Sequence, residues 1–366
     1  MSNTTTITVN TKEFASAFSK SAKGTNAKAA ISSLHNVFLS AEGNYLAIRS
    51  SSLDTWYSAK IKALSINGNA ESVFNLSVKP DAITKALKFL GKTETELVFT
   101  SDDDEVAELE IISGTKHIKT ICRSDDYPIS PVIEDGKMFT LNMNDIADRY
   151  SHIAYAVGSV AVRPFLSGIH FNGGDMVASD SYRLAISRNG EHVPSRFTIP
   201  ATALKYISEC LDGKVAVVTM NHKYICFSTE NECICSKLLA GDYLDYSRIL
   251  EQNKPHSCDV PRKKMMDALK YLKLFVDDVK QTPIRYENDV LSVKTTEGVF
   301  SEQIGIHSPL DTAFGVDVKY MLDALTQFGT NDVLHISVVS SLSPIIISAC
   351  GDDHNFALLC PMRLKD

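Results

Sequence analysis

An α+β fold of three similar domains, each with two helices packed on antiparallel sheets and the whole suited to closing a ring, is predicted by three observations. A β-like residue pair running into a short amphipathic helix recurs six times, roughly every sixty residues, which marks one supersecondary unit reused along the chain. Alternating stretches with turn residues follow each helix, as hairpins do. Two similar acidic and aromatic segments then divide the six units two by two.

The helix starts are Val9-Asn10-Thr11, Val78-Lys79-Pro80, Leu141-Asn142-Met143, Ile199-Pro200-Ala201, Val260-Pro261-Arg262 and Val316-Asp317-Val318. They predict helices over 11–23, 79–90, 143–156, 200–211, 261–275 and 318–328. An Ala-Leu pair recurs inside four of them, at 86–87, 203–204, 268–269 and 324–325. Each helix is about three turns with one apolar face, such as Ile83, Leu87 and Leu90, which must be buried on a sheet. Between helices, Val37-Phe38-Leu39 turns at Glu42-Gly43-Asn44 into Tyr45 to Arg49. Ile169-His170-Phe171 turns at Asn172-Gly173-Gly174 into Met176-Val177-Ala178. Later units repeat the pattern at 215–219, 224–228, 284–286, 290–293, 333–338 and 345–349. The segments Asp125-Asp126-Tyr127-Pro128 and Gly241 to Tyr246 resemble each other and act as linkers. They give domains over 1–127, 128–252 and 253–366.

With 366 residues, 44% hydrophobic and 22% charged, the chain exceeds one ordinary core and is globular. Nothing in it resembles a signal peptide or a membrane span, so a cytoplasmic protein without a membrane partner is expected. The eight cysteines lack CxxC pairs and are read as reduced core thiols. A zinc site on Cys226, Cys233 and Cys235 lacks a matching fourth ligand.

The net charge of −7 is unevenly spread. The six helical windows hold 14 Lys/Arg against 7 Asp/Glu, so the helices are basic and the remainder acidic. Such segregation concentrates positive potential on one surface of an acidic protein. Six helices cannot ring a nucleic-acid duplex, but twelve from two chains can. At about 10 Å between neighbours they enclose a hole of roughly 28 Å, enough for a duplex of about 20 Å with water between. Contacts would be lysine to phosphate and independent of sequence.

Catalytic motifs are lacking. Gly91-Lys92-Thr93 follows its helix rather than preceding it, so it is no phosphate loop, and Gly91 is expected as a helix C-cap. Asp102 to Glu105 are expected as a solvated hairpin tip. No HExxH, GxSxG or GxGxxG occurs, and neither enzyme activity, cofactor nor metal is expected.

The segment Ala178-Ser179-Asp180-Ser181-Tyr182-Arg183-Leu184-Ala185 resembles the Ala-Thr-Asp-Gly-His-Arg-Leu-Ala signature of the bacterial DNA polymerase III beta subunits, the sliding clamps. Arg163 to Gly168 is similar to the stretch just upstream in that family. Gly241 to Leu250 looks like its Gly-x-Phe-Pro-Asp-Tyr-x-Arg-Val/Ile-Leu segment, and Cys360 to Leu364 like its closing Met-Pro-Met-Arg-Leu. The resemblance implies a head-to-tail homodimeric ring around duplex DNA that tethers the replicative polymerase, the clamp loader and other proteins bearing a clamp-binding motif. It implies a peptide pocket between the second and third domains, made by Leu166, Ser179, Ser181, Tyr182, Arg183, Leu184, Leu244, Arg248, Ile249, Leu358, Cys360, Pro361, Met362, Arg363 and Leu364. Apolar walls there would accept leucine or phenylalanine, with a few polar groups to orient the peptide. For DNA it implies Lys28, Arg163 and Phe165. The charged helices add Lys85, Lys88, Arg149, Lys205, Lys263 and Lys264. At the ring joint it implies Leu274 and Phe275 against the partner's strand 116–122. Ser181, Tyr182, Leu244 and Cys360 depart from the family pattern, a divergence that suits a phage-encoded or distant bacterial clamp.

Overall fold

The computed structural model describes residues 3–91, 93–101, 106–159, 163–251, 255–276, 282–306, 310–329 and 331–364. Lys92 and the tip 102–105, both discussed above, lie outside them. Among the described residues seven α-helices form: α1 (Thr11–Lys23), α2 (Pro80–Leu87), α3 (Met143–Ile153), α4 (Ala201–Cys210), α5 (Ser247–Glu251), α6 (Arg262–Lys273) and α7 (Val318–Gln327). Six open where the repeat predicts. Asn10 Oδ1 accepts from the Lys12 and Glu13 amides, and Asp317 Oδ1 from those of Lys319 and Tyr320, which satisfies N–H groups that no helix turn can reach. α2 is shorter than expected. It ends at Leu87 with Lys88 as its cap, and the Gly91 amide turns away to donate to Ser113 Oγ at 2.8 Å.

The chain packs as two compact units, one of residues 1–143 with 206–238, the other of 144–205 with 239–366. In the first unit twelve strands share one sheet. Eight of them, from Asn3–Asn10 to Lys116–Ser124, run in a closed cycle, because Asn3–Asn10 pairs with both Glu94–Ser101 and the far end of Thr55–Asn67. The near end of Thr55–Asn67 pairs instead with Glu232–Lys237, which leads through Tyr224–Ser228 and Val215–Met220 to Lys137–Asn142. α1 buries Phe14, Ala17 and Phe18 against this sheet and lies beside α2, which buries Ile83 and Leu87.

The second unit holds an eight-stranded sheet in the order Phe197–Pro200, Gly168–Asn172, Asp175–Ser179, Arg183–Ser187, Asn355–Leu359, Ile345–Ala349, Val333–Val338, His256–Pro261. A four-stranded sheet runs Val299–Gln303, Val290–Lys294, Ile284–Glu287, Phe314–Val316. α6 and α7 pack side by side, burying Met265, Leu269, Leu272, Met321 and Leu325 in one core with Leu334, Ile336 and Phe314. Middle-third strands thus belong to both units, 137–142 and 215–237 to the first, 168–200 to the second.

One expectation about the cysteines is overturned. Cys226 and Cys235 stand directly opposite on paired strands, close enough to bond, and form a disulfide. The other six are free.

Candidate functional site

A cleft of about 370 Å³ opens in the second unit where Arg183–Ser187 pairs with Asn355–Leu359, setting Arg183 opposite Leu359 and Leu184 opposite Leu358. Alternation along these strands turns Leu184 and Leu358 to one face, and Leu166 joins them as a buried floor. The wall is a tight turn. Asp180 Oδ1 accepts from the Tyr182 and Arg183 amides, both at 2.9 Å, while Ser179 Oγ donates to the Arg183 carbonyl at 2.9 Å. This forces Ser181 to φ 82°, a left-handed conformation that only glycine adopts without cost. Tyr182 is left projecting, and its carbonyl accepts from the Cys360 amide at 2.8 Å, fastening the chain's end to the turn.

The opposite wall comes from 241–250, where Tyr243, Leu244, Ile249 and Leu250 pack over Val177, Leu184, Ile186 and Leu358. Tyr246 pins the segment by donating to Asp175 Oδ2 at 2.9 Å. Gly241 sits at φ 128°, a backbone conformation strained for any residue with a Cβ, and a Cβ there would also press on the Phe165 ring at 3.1 Å. Phe165 meets Tyr243 edge-on, and Tyr243 stacks on His170 at 4.4 Å. Burial, then the charge of Arg196, pulls the His170 pKa down to about 4, so this imidazole is neutral at physiological pH.

Arg183 does not offer its charge to the cleft. Its guanidinium donates to Asp180 Oδ2 at 2.9 Å and Asp323 Oδ2 at 2.7 Å, and lies over the Tyr320 ring at 4.4 Å. Burial acts to lower its pKa, but the two carboxylates outweigh that and raise it. Arg183 thus ties the turn to α7, and the exposed cation at the cleft is Arg163.

The cleft gathers Leu166, Ser179, Ser181, Tyr182, Arg183, Leu184, Leu244, Ile249, Leu358 and Cys360 of the predicted set. Arg248 is not among them; it is 85% exposed and paired with Asp245. Nor are Pro361, Met362, Arg363 and Leu364. After Cys360 the chain leaves the cleft, and the Met362 amide donates to the Gly315 carbonyl at 2.9 Å on the other sheet. Arg163 and Phe165, implied as DNA contacts, line this cleft as well. Asp242, Pro344 and Leu359 also line it and were missed. Asp242 sits inside the linker motif and could have been found there, whereas nothing near Pro344 signals its place.

Of the predicted DNA contacts, Lys28, Lys85, Lys88, Lys205, Lys263 and Lys264 are exposed. Arg149 is a correction. It is 5% exposed and donates to the Gly174 carbonyl at 2.6 Å and the Ser187 carbonyl at 2.7 Å, so it staples α3 to strand ends rather than facing solvent. At the end of α6, Leu274 is 78% exposed, and Phe275 stacks on Phe300 at 3.7 Å beside the outer strand Val299–Gln303. Strand Lys116–Ser124 leaves residues 116–122 unpaired on one side among the described residues, with Ile121 exposed.

No protein-family model matches the chain. It is 26% identical over 353 residues to the "Beta sliding clamp" of Treponema pallidum, covering 90% of this chain and 92% of that one. It is 23% identical over 312 residues to that of Synechococcus elongatus, covering 78% and 82%. Among solved structures, the DNA polymerase III beta subunit of Thermotoga maritima superposes with a TM-score of 0.85 at 19% identity, over 99% of this chain and 100% of that one. The Bacillus subtilis DNA polymerase sliding clamp gives 0.82 at 18%, over 99% and 100%. A Pseudomonas aeruginosa sliding clamp bound to griselimycin gives 0.82 at 18%, over 98% and 100%. The fold of this chain is the fold those proteins share.

Proposed function

We infer that the chain is a divergent bacterial-type beta sliding clamp, a processivity factor that encircles duplex DNA and tethers DNA polymerase through a hydrophobic peptide cleft. The observation that carries this reading is the likeness in fold along nearly the whole chain, joined to six regularly spaced helices with exposed lysines, Lys85, Lys88, Lys205, Lys263 and Lys264 among them. Its six repeats divide into three similar domains, over 1–127, 128–252 and 253–366, with two helices in each. Two chains join head to tail, Leu274, Phe275 and the outer strand Val299–Gln303 of one meeting the open edge of Lys116–Ser124 of the other. An unpaired strand edge beside exposed apolar residues is a template for such pairing. The helical lysines, Lys28, Lys85, Lys88, Lys205, Lys263 and Lys264 among them, face phosphate without selecting sequence.

The cleft takes a short partner segment with leucine or phenylalanine side chains. Leu166, Leu184, Leu244 and Leu358 supply the apolar floor and wall, while Arg163 and Asp242 sit at the mouth to orient its polar groups. Polymerase, clamp loader and other proteins with such a segment compete for it. The protein catalyses nothing and works in the cytoplasm or nucleoid, in a bacterium or a phage-infected cell. Light scattering after gel filtration tests the assembly: a particle of twice the chain's 40.2 kDa is expected, and a stable 40.2 kDa monomer at micromolar concentration would count against a ring.

A further inference from the structure

The hairpin of Tyr224–Ser228 and Glu232–Lys237 carries three cysteines on one face. Cys226 stands opposite Cys235, and Cys233, two residues before Cys235, shares its side of the strand. Cys233 Sγ lies 3.9 Å from Cys235 Sγ, and Ser228 Oγ, opposite Cys233, lies 3.4 Å from its sulfur. Trp56, Tyr127, Ile133 and Tyr224 pack around the cluster, leaving Cys226 and Cys235 buried and Cys233 half-buried. The clamp function uses none of these sulfurs.

Three thiols at this spacing in an apolar shell are a soft ligand set. Thiolates favour Cu(I), Zn(II) or iron–sulfur clusters over hard cations. Zinc in a structural site takes four ligands, and the fourth group here is a serine hydroxyl, whereas three thiolates satisfy a three-coordinate monovalent ion. We propose that, once the Cys226–Cys235 bond is reduced, Cys226, Cys233 and Cys235 form a three-thiolate site for Cu(I). A dithiol reductant supplies the two electrons and two protons that convert the disulfide to two thiols, and is itself oxidised to a disulfide. Binding of Cu(I) then displaces the three thiol protons to solvent. The oxidised hairpin retains one free thiol and is closed to the metal, so the site is gated by redox state.

The test uses full-length chain in which Cys350→Ser and Cys360→Ser remove the two exposed thiols. After anaerobic reduction with dithiothreitol and its removal, the chain is titrated with Cu(I) against bicinchoninate. One Cu(I) per chain is expected, with thiolate-to-copper absorption in the near ultraviolet, no uptake by the oxidised protein, and affinity at least about 100-fold weaker in Cys233→Ser. Unchanged affinity in Cys233→Ser, or tighter binding of Zn(II) than of Cu(I), overturns the assignment. If a variant fails to fold, alkylation of the unsubstituted reduced protein decides. Cu(I) should protect Cys226, Cys233 and Cys235 together from iodoacetamide, and labelling of any of the three at its copper-free rate would refute the site.

Discussion

Replacing Glu232 by glutamine tests how α1 is held to the hairpin strands of the first unit. The Glu232 side chain is 8% exposed and accepts from Lys20 Nζ at 2.7 Å, from Tyr57 Oη at 2.8 Å and from Lys214. Tyr206 adds a bond to the Lys20 carbonyl at 2.8 Å. Lys214 is 40% exposed, keeps much of its hydration and contributes little. Lys20 is 21% exposed, and removing the partner of a mostly buried charge costs about 3–5 kcal/mol. Its residual hydration sets the expectation at the lower end, about 3 kcal/mol, or about 6–12 °C in Tm for a unit of this size. Trp56, the chain's one tryptophan, lies in the same unit and reports its melting by fluorescence. Burial raises the Glu232 pKa, but bonds from Lys20, Lys214 and Tyr57 bring it below its ordinary value of 4.5. A depressed carboxylate adds stability above its unfolded pKa and loses it as pH falls through the folded one. The deficit of the variant should therefore be full at neutral pH and shrink below about pH 4.5. A loss under about 1 kcal/mol at pH 7, the worth of an exposed pair, would refute the reasoning.

Four further outcomes follow from the second unit. Ser181→Gly should raise stability by about 1 kcal/mol in thermal melts by removing left-handed strain, and a loss would contradict the strain argument. Neutral buried His170 should make the unit lose stability as pH falls from about 6.5 to about 4, by about 3 kcal/mol in total. That slope, measured by urea unfolding, should vanish in His170→Gln. Arg149→Met should cost about 3 kcal/mol, since the Gly174 and Ser187 carbonyls lose their donor. Lys263→Glu with Lys264→Glu should instead leave melting within about 0.5 kcal/mol and weaken DNA association at low salt.

The helices were legible because each needs only a local pattern: an extended pair, an apolar stripe and, at Asn10 and Asp317, a side chain that caps. The turn at 179–183 was legible as a motif, although the sequence placed Arg183 as a ligand group. Only the fold brings Asp323, 140 residues away, against its guanidinium. Arg149 misled for the same reason, since charge along a helix does not reveal which turn faces a strand end. The terminal residues 361–364 entered the pocket set through their likeness to the family's closing motif, but after Cys360 this chain turns to the Gly315 strand, where Met362 bonds. The disulfide escaped because Cys226 and Cys235 become partners only through the register of their hairpin, which spacing alone leaves open. Pro344 enters the cleft through a strand order that no local signal carries.

Topological retention on DNA tests the central claim most directly. The protein is loaded by a clamp loader onto nicked circular duplex and onto the same duplex linearised with its ends unblocked, and each is filtered at a salt concentration that dissolves lysine–phosphate contacts. The account predicts that protein stays with the circle and is lost when the circle is cut. Equal retention, or equal loss, on circle and line would contradict a ring that holds DNA by enclosing it.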